Sequence, residues 1–349
     1  MDIFTLDVGT GTQDFLLFRE NENIRNCPKA ILPSPTKIVA EKVRRLADKD
    51  RNILLTGYTM GGGPCSKAIR DAVKKVRVYA FEKPALTIND NLDKVKREGV
   101  EVVNEKPDDS NLVEIKMGDV DLSTYSSFLS LFDIEVPENL VIAVQDHGFS
   151  PDESNRRFRF RVFERILKKR PYLDSFLYSK KNIPDFYNRM SAVVESIEDF
   201  EKENDISFNL HVIDTVFPAI AGAMMDVEKF PALIGNFGNG HTIFAVVDRD
   251  GRIYSMMEHH TAILRKINID EVVRKFIRGE LTNEDIFQQG GHGAFVGEVV
   301  EVRDFVSTGP NSSMSSFRTA NPVGDVMVVG NAGMVRLLMR DEFFKLAGV

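Results

Sequence analysis

Apolar side chains crowd two short runs near the start of the chain and predict strands over 2–8 and 14–19. Gly9-Thr-Gly-Thr-Gln13 between them is long and flexible enough for a hairpin loop. Ile38, Val39, Val43 and Leu46 follow helical spacing. Ile53 to Thr56 reads as a short buried strand, leading through Gly57-Tyr-Thr-Met-Gly-Gly-Gly-Pro64 into a helix over 66–75. The stretch 85–120 is polar and irregular, which predicts an insertion or small subdomain. Leu140 to Val144 reads as another buried strand. Ser150-Pro-Asp-Glu153 has the form of a helix start, with Ser as N-cap, Pro at the first position and Glu closing a capping box. That helix should run to Arg170, and a second should cover 185–203.

Further along, 208–213 predicts a strand leading into Asp214-Thr215 and a helix carrying Ala219 and Gly222. Strands are expected over 232–236, 241–247, 252–257 and 325–329, and helices over 269–278 and 331–347. The Ser/Asn/Thr-rich stretch 307–322 reads as a loop. The strand–glycine turn–strand unit of 2–18 recurs at 232–247, which predicts a duplicated architecture with a cleft between the halves.

Composition adds bounds rather than a function. A chain of 349 residues, 43% hydrophobic, has enough apolar material for two domains. A net charge of −7 does not suit a general nucleic-acid or membrane binder, and neither partner is expected. No run approaches the roughly 20 apolar residues of a membrane span, and Met1-Asp2-Ile3-Phe4 lacks the basic flank of a signal peptide. A cytoplasmic protein is expected. Cys27 and Cys65 alone cannot build a disulfide framework or a cysteine metal cluster. The 24 glycines are average in number, yet more than half fall in five short stretches: 9–11, 57–63, 235–240, 290–293 and 330–333.

A glycine turn between strands exposes backbone N–H groups, and without a Cβ a phosphate can approach them closely. Threonine hydroxyls add donors, and an Asp at the end of the first strand can hold Mg²⁺. Asp7-Val-Gly-Thr-Gly-Thr12 supplies all of these, although the same stretch would serve as an ordinary tight turn.

Asp7-x-Gly-Thr-x-Thr in a first-strand hairpin resembles the first phosphate motif of the acetate and sugar kinase/Hsp70/actin superfamily. Val212-Ile-Asp-Thr-Val-Phe-Pro-Ala-Ile-Ala-Gly222, the hairpin Leu233 to Thr242, and Val328-Val-Gly-Asn-Ala-Gly-Met-Val335 follow in the superfamily's order. The resemblance implies an α/β, bilobed actin-like/ribonuclease H-like ATPase fold with duplicated mixed-sheet lobes. It places an N-terminal lobe at 1–210, with an insertion near 85–135, and a C-terminal lobe at 211–349. It also implies ATP and Mg²⁺ between the lobes. Gly9, Thr10, Gly11 and Thr12 match the first phosphate hairpin. Asn236, Gly238, Asn239, Gly240, His241 and Thr242 match the second, and Gly330, Asn331 and Gly333 the adenosine loop. Asp7 matches the Mg²⁺-associated Asp, and Asp214 the base of carbohydrate kinases. Many relatives carry Asp where this chain has Asn236, so the metal would lean on Asp7.

Met60-Gly-Gly-Gly-Pro64, Val144-Gln-Asp-His-Gly148, Glu258-His-His-Thr261 and Gly291-His-Gly-Ala294 resemble a largely archaeal family that carries the label of pyruvate formate-lyase activating enzymes. The chemistry argues against that label. Such an activase needs three closely spaced cysteines for an iron–sulfur cluster, and this chain has two, far apart.

Five of the six histidines, His147, His241, His259, His260 and His292, abut Gly, Asp, Glu or Thr in turn-like contexts where loops converge. They are candidates for metal ligand, general base or phosphate contact. His259 and His260 alternate faces if extended, so at most one of them meets a given cleft. His241 suits phosphate contact. Asp146-His147 after a buried strand marks a site edge, with Asp146 the rival to Asp214 as base. Asp214 would then cap the following helix. Gly61, Gly62 and Gly63, before a helix, could hold a substrate carboxylate or phosphate. They belong, with the stretch around His292, to the glycine clusters that the superfamily pattern leaves unassigned. Arg156 to Arg170 crowd one helix and read as a solvated basic face, with an anionic partner as the alternative.

The expected reaction is phosphoryl transfer from ATP–Mg²⁺ to the hydroxyl of a small-molecule acceptor. One alternative is an ATPase switch acting on a protein partner. Another is a His/Asp metal-dependent hydrolase without nucleotide.

Overall fold

The structure is a computed structural model that describes residues 1–340. Strands β1 (Ile3–Val8), β2 (Thr12–Phe18) and β3 (Lys29–Pro33) open the chain as an antiparallel meander. Helix α1 (Pro35–Ala47) leads to β4 (Asn52–Gly57), α2 (Gly63–Ala72), β5 (Val78–Ala80), α3 (Glu82–Leu86), α4 (Leu92–Arg97), β6 (Val100–Val102) and β7 (Leu112–Met117). Strands β4 to β7 form a parallel sheet in the order β6-β5-β4-β7. The stretch 85–120 is therefore regular, and this corrects the expectation of irregular structure. Its strands are short, and β7 buries only Ile115 and Met117, so the apolar signal is thin.

Helix α5 (Leu122–Ser130), β8 (Asn139–Val144), α6 (Asn155–Lys169), β9 (Leu177–Ser179), α7 (Asn188–Asn204) and β10 (Asn209–Ile213) follow. The first lobe's sheet runs β3-β2-β1-β8-β10-β9, with β1, β8 and β10 parallel. Helix α6 starts later than expected, with Ser154 at its cap position. The backbone N–H of Ser150 donates instead to Asp90 Oδ2 at 3.0 Å, which turns the chain before the helix begins.

Helix α8 (Val216–Ala223) leads into β11 (Ala232–Phe237), β12 (His241–Val247) and β13 (Ile253–His260). Helices α9 (Thr261–Leu264), α10 (Ile269–Ile277) and α11 (Asn283–Gln288), strands β14 (Gly293–Val296), β15 (Asp304–Thr308) and β16 (Arg318–Thr319), and helix α12 (Val329–Met339) complete the described chain. The second sheet runs β14-β13-β12-β11-β15-β16, with β11, β15 and β16 parallel. Setting aside one edge strand in each, both sheets have the order 3-2-1-4-5, with an antiparallel meander on one side of the first strand and two parallel strands on the other. That repeat is the bilobed ribonuclease H-like architecture of the actin class. The expected strand over 325–329 is a tight turn at Val326–Val328 feeding α12, with Asp325 accepting from the Met327 amide at 2.9 Å. A short apolar run fits a buried helix start as well as a strand. The expected end of the last helix, beyond Arg340, lies outside the described residues.

The largest apolar cluster joins the two lobes. It contains Ile3 and Leu16 from the first sheet, Ile234 and Val306 from the second, and Phe217 of α8 and Val335 of α12. The two helices cross backbone to backbone. A Cβ at Gly222 would strike the Val329 carbonyl, and one at Gly333 the Pro218 carbonyl.

Candidate functional site

The two glycine turns are built alike and face each other. In the first, the Gly9 N–H donates to the Thr12 carbonyl at 2.9 Å; in the second, the Gly238 N–H donates to the His241 carbonyl at 2.9 Å. Their tips touch: a Cβ on Gly11 would collide with the Asn239 amide, and one on Gly240 would lie 3.6 Å from Thr10 Oγ1. The cleft around them is lined by Asp7, Gly9, Thr10, Thr12, Asn236, Gly238, Asn239, Gly240 and His241, and on its far side by Gly309, Met327 and Gly330. Thr242 is buried, its hydroxyl 3.0 Å from that of Thr261.

Pairing of β1 with β2 sets Asp7 opposite Asp14. Asp14 also lines the cleft, and its Oδ1 makes no hydrogen bond. Burial, then the charges of Asp14 and Asp214, hold Asp7 well above the usual carboxylate range. Burial pushes Asp14 up to about 7. Two carboxylates that resist ionisation, one with a bare oxygen, fit a hard divalent cation that binds oxygen. Asp14 escaped the sequence reading, although the register of a hairpin across Gly9–Thr12 pairs it with Asp7. Gly330 closes this corner, since a Cβ there would fall 2.8 Å from Asp7 Oδ2. Asn331 and Gly333 do not line the cleft. Asn331 Nδ2 donates to the carbonyls of Thr5 (3.2 Å) and Asp14 (2.8 Å), which ties α12 to the first hairpin.

Asp214 lies behind the cleft. Its carboxylate is buried and receives Arg159 Nη1 at 2.5 Å, Nη2 at 2.8 Å and the Asp146 N–H at 3.0 Å. Arg159 Nε donates to Glu258 Oε2 at 2.8 Å, and Nη1 also to the Asp146 carbonyl at 2.8 Å. The expectation of a solvated basic face therefore fails at Arg159, which is 1% exposed. Its flanks do reach the surface, where Arg157 pairs with Glu284. Burial alone would raise Glu258, but Arg159, His292 and His241 hold it well below the usual range.

Asp146 lines a second cleft beside the first, together with Gly61, Gly62, Gly63, His147, Arg189, His241 and His260. Its oxygens accept from Gly148 N and Met190 N, both at 2.8 Å. Burial pushes it up to about 6 against those two donors. The Gly61 amide is already taken by Asp119 Oδ1 at 3.1 Å, and Arg189 bridges Asp119 and the Gln145 carbonyl. Asp119 and Arg189 escaped the sequence reading, because nothing in their local pattern distinguishes them from surface charges; Arg159 was read only as part of the basic helix, and Glu258 only as part of the Glu258-His-His-Thr261 motif.

The histidines divide by face. His260 and Glu258 share one side of β13, and His259 takes the other, buried where a Cβ on Gly291 would press on its ring. His147, His241 and His260 line the second cleft, and their rings converge with that of the buried His292. Burial holds His147 well below the usual imidazole range and brings His292 down to about 3. His241 Nδ1 lies 3.0 Å from Glu258 Oε1.

Residues 60–314 match the family described as "Putative pyruvate format-lyase activating enzyme (DUF1786)". No curated protein matches the chain. Among solved structures, the activator of the 2-hydroxyisocaproyl-CoA dehydratase from Clostridium difficile, with bound ADPNP, is 10% identical. The match covers 99% of this chain and 97% of that one, at a TM-score of 0.34. The ethanolamine utilization protein EutJ from Carboxydothermus hydrogenoformans is 9% identical, covering 95% and 88%, at 0.31. The Ppx/GppA phosphatase from Aquifex aeolicus is 11% identical, covering 89% and 68%, at 0.32.

Proposed function

This chain belongs to the DUF1786 family, and we propose that it binds ATP with a divalent cation between its lobes and transfers the γ-phosphoryl to a hydroxyl of a small acceptor. One observation carries the reading: two identically closed glycine turns meet tip to tip beside the paired carboxylates of Asp7 and Asp14. The amides and hydroxyls of those turns are suited to triphosphate oxygens. Asp7 and Asp14 would hold the cation, which neutralises charge on the phosphates when bound. The activity in the family's description needs a cysteine-held iron–sulfur cluster, and Cys27 and Cys65 are both buried in separate parts of the fold.

The acceptor belongs in the second cleft, where Asp146 lies and Asp214 does not. Asp146, held near 6, is poised to take a proton from a hydroxyl. Asp214 positions it: its carboxylate receives the Asp146 amide and the arginine that binds the Asp146 carbonyl.

The test is a thermal-shift screen of the full chain with ATP, ADP and Mg²⁺. Saturation at a hundred times Kd should add about 2.7 kcal/mol of stability. A folded protein that responds to no nucleotide would overturn the reading. Steady ATP hydrolysis without any acceptor would transfer the chemistry to water and favour the ATPase switch.

A further inference from the structure

Four imidazoles gather where the second glycine turn meets the acceptor cleft. The ring centres of His241 and His292 are 4.6 Å apart, of His260 and His292 4.8 Å, and of His147 and His292 5.3 Å. They come from four separate places in the sequence: the loop after β8, the start of β12, the end of β13 and the loop before β14. Such a gathering does little for stability by itself. The one close polar contact between the rings is His147 Nε2 to His292 Nε2 at 3.2 Å, and two neutral rings share a single proton there. His292 Nδ1 is buried without a hydrogen bond.

Three of the rings, His147, His241 and His292, each bring one nitrogen within 4.8 Å of the others. Behind them sits Glu258, buried and fixed by Arg159 and by Gln145 Nε2 at 2.8 Å. His241 Nδ1 lies 3.0 Å from Glu258 Oε1 but outside hydrogen-bond geometry, so like His292 Nδ1 it is a buried nitrogen without a partner. Zinc–imidazole bonds of about 2.0–2.1 Å in a tetrahedron imply nitrogen–nitrogen edges of about 3.3 Å. The His147–His292 contact already has that spacing.

We propose that His147, His241 and His292 form a three-histidine site for a divalent transition metal of the zinc class, with its fourth position open to the acceptor cleft. Three nitrogen ligands with one open position suit a metal that holds a water or a substrate oxygen. Imidazole also separates this site chemically from Asp7 and Asp14, whose oxygens suit Mg²⁺. The site does not depend on nucleotide binding, so its failure and that of the phosphoryl-transfer reading are separable.

The test uses the full chain, stripped with a chelator and free of nucleotide and Mg²⁺. Zn²⁺ alone is titrated against a chromophoric competitor, and Co²⁺ binding is followed by its visible absorption. We expect one tight equivalent per chain and the intense absorption of tetrahedral Co²⁺. His147→Ala and His241→Ala should each weaken Zn²⁺ binding at least tenfold, while His211→Ala, outside the cluster, leaves it unchanged. The Co²⁺ spectrum needs no variant and so does not depend on mutant folding. A folded wild-type chain without stoichiometric Zn²⁺, an octahedral Co²⁺ spectrum, or undiminished binding in folded His147→Ala and His241→Ala would overturn the site.

Discussion

Arg159 and Asp214 meet as a two-point pair, Nη1 to Oδ2 at 2.5 Å and Nη2 to Oδ1 at 2.8 Å, with neither side chain reaching solvent. The arginine comes from α6 and the aspartate from the end of β10, and the same guanidinium holds Glu258 of the second lobe. Removing one member of such a network strands the others as buried charges. Arg159→Met should therefore cost about 3–5 kcal/mol, because Asp214 and Glu258 lose their shared cation. Urea unfolding of the two proteins checks this, and an unchanged midpoint would contradict it.

Asp14 gives the metal-free protein a pH dependence of definite sign. Its carboxyl is raised from 3.8 to about 7. A group raised in the folded state contributes stability that is complete below its unfolded value and is lost as the pH rises through the folded one. Stability should fall by up to about 4 kcal/mol from this group between about pH 4 and pH 7. Asp14→Asn should flatten the slope. Added Mg²⁺ should oppose it, and more strongly at higher pH, because the cation favours the ionised form. Melting curves across that range, with and without Mg²⁺, decide the matter.

Gly330 is where a single methyl should disable the cation corner. Gly330→Ala puts a Cβ 2.8 Å from Asp7 Oδ2. The expected result is a folded protein whose thermal shift with ATP–Mg²⁺ is largely lost. Gly324→Ala is the control, since its Cβ meets nothing within 4 Å and the strain comes only from a φ of +87°. Equal nucleotide shifts in both variants would remove Gly330 from the site.

Asp146 and Asp214 should separate in kinetics. With Asp146 as base, kcat/KM rises with pH through about 6, as the carboxyl ionises. Asp146→Asn should lose on the order of 100-fold or more in turnover while keeping the ATP shift. Asp214→Asn should weaken folding as well, because half of the Arg159 pairing goes with it. A pH profile flat through 6, or full turnover in Asp146→Asn, would take the base role from Asp146.

The crossing of α8 and α12 should be intolerant of size. Gly222→Ala and Gly333→Ala each drive a methyl into backbone that cannot rotate away. Overpacking of this kind costs about 1–3 kcal/mol. Denaturant midpoints measure it, and neutral substitutions would show that the helices can part.

The sequence by itself determined the repeat. Two apolar strands flanking a glycine turn, at 2–18 and again at 232–247, are local patterns. Local patterns survive in sequence because a hairpin and its buried faces are made by neighbouring residues. The convergence of loop histidines was likewise suggested by their placement beside Gly, Asp and Thr. Tertiary structure decided what the isolated charges do. Arg159 looked like one of many arginines on a basic helix, and only the fold places it between Asp214 and Glu258, 55 and 99 residues away. The fold likewise moved Asp214 behind the cleft and brought Asp146 to its wall. It turned Gly333 into a helix crossing. A charge in sequence carries no mark of its environment. Its burial, its partner and its proton affinity are set largely by groups far along the chain, which meet only in the folded structure.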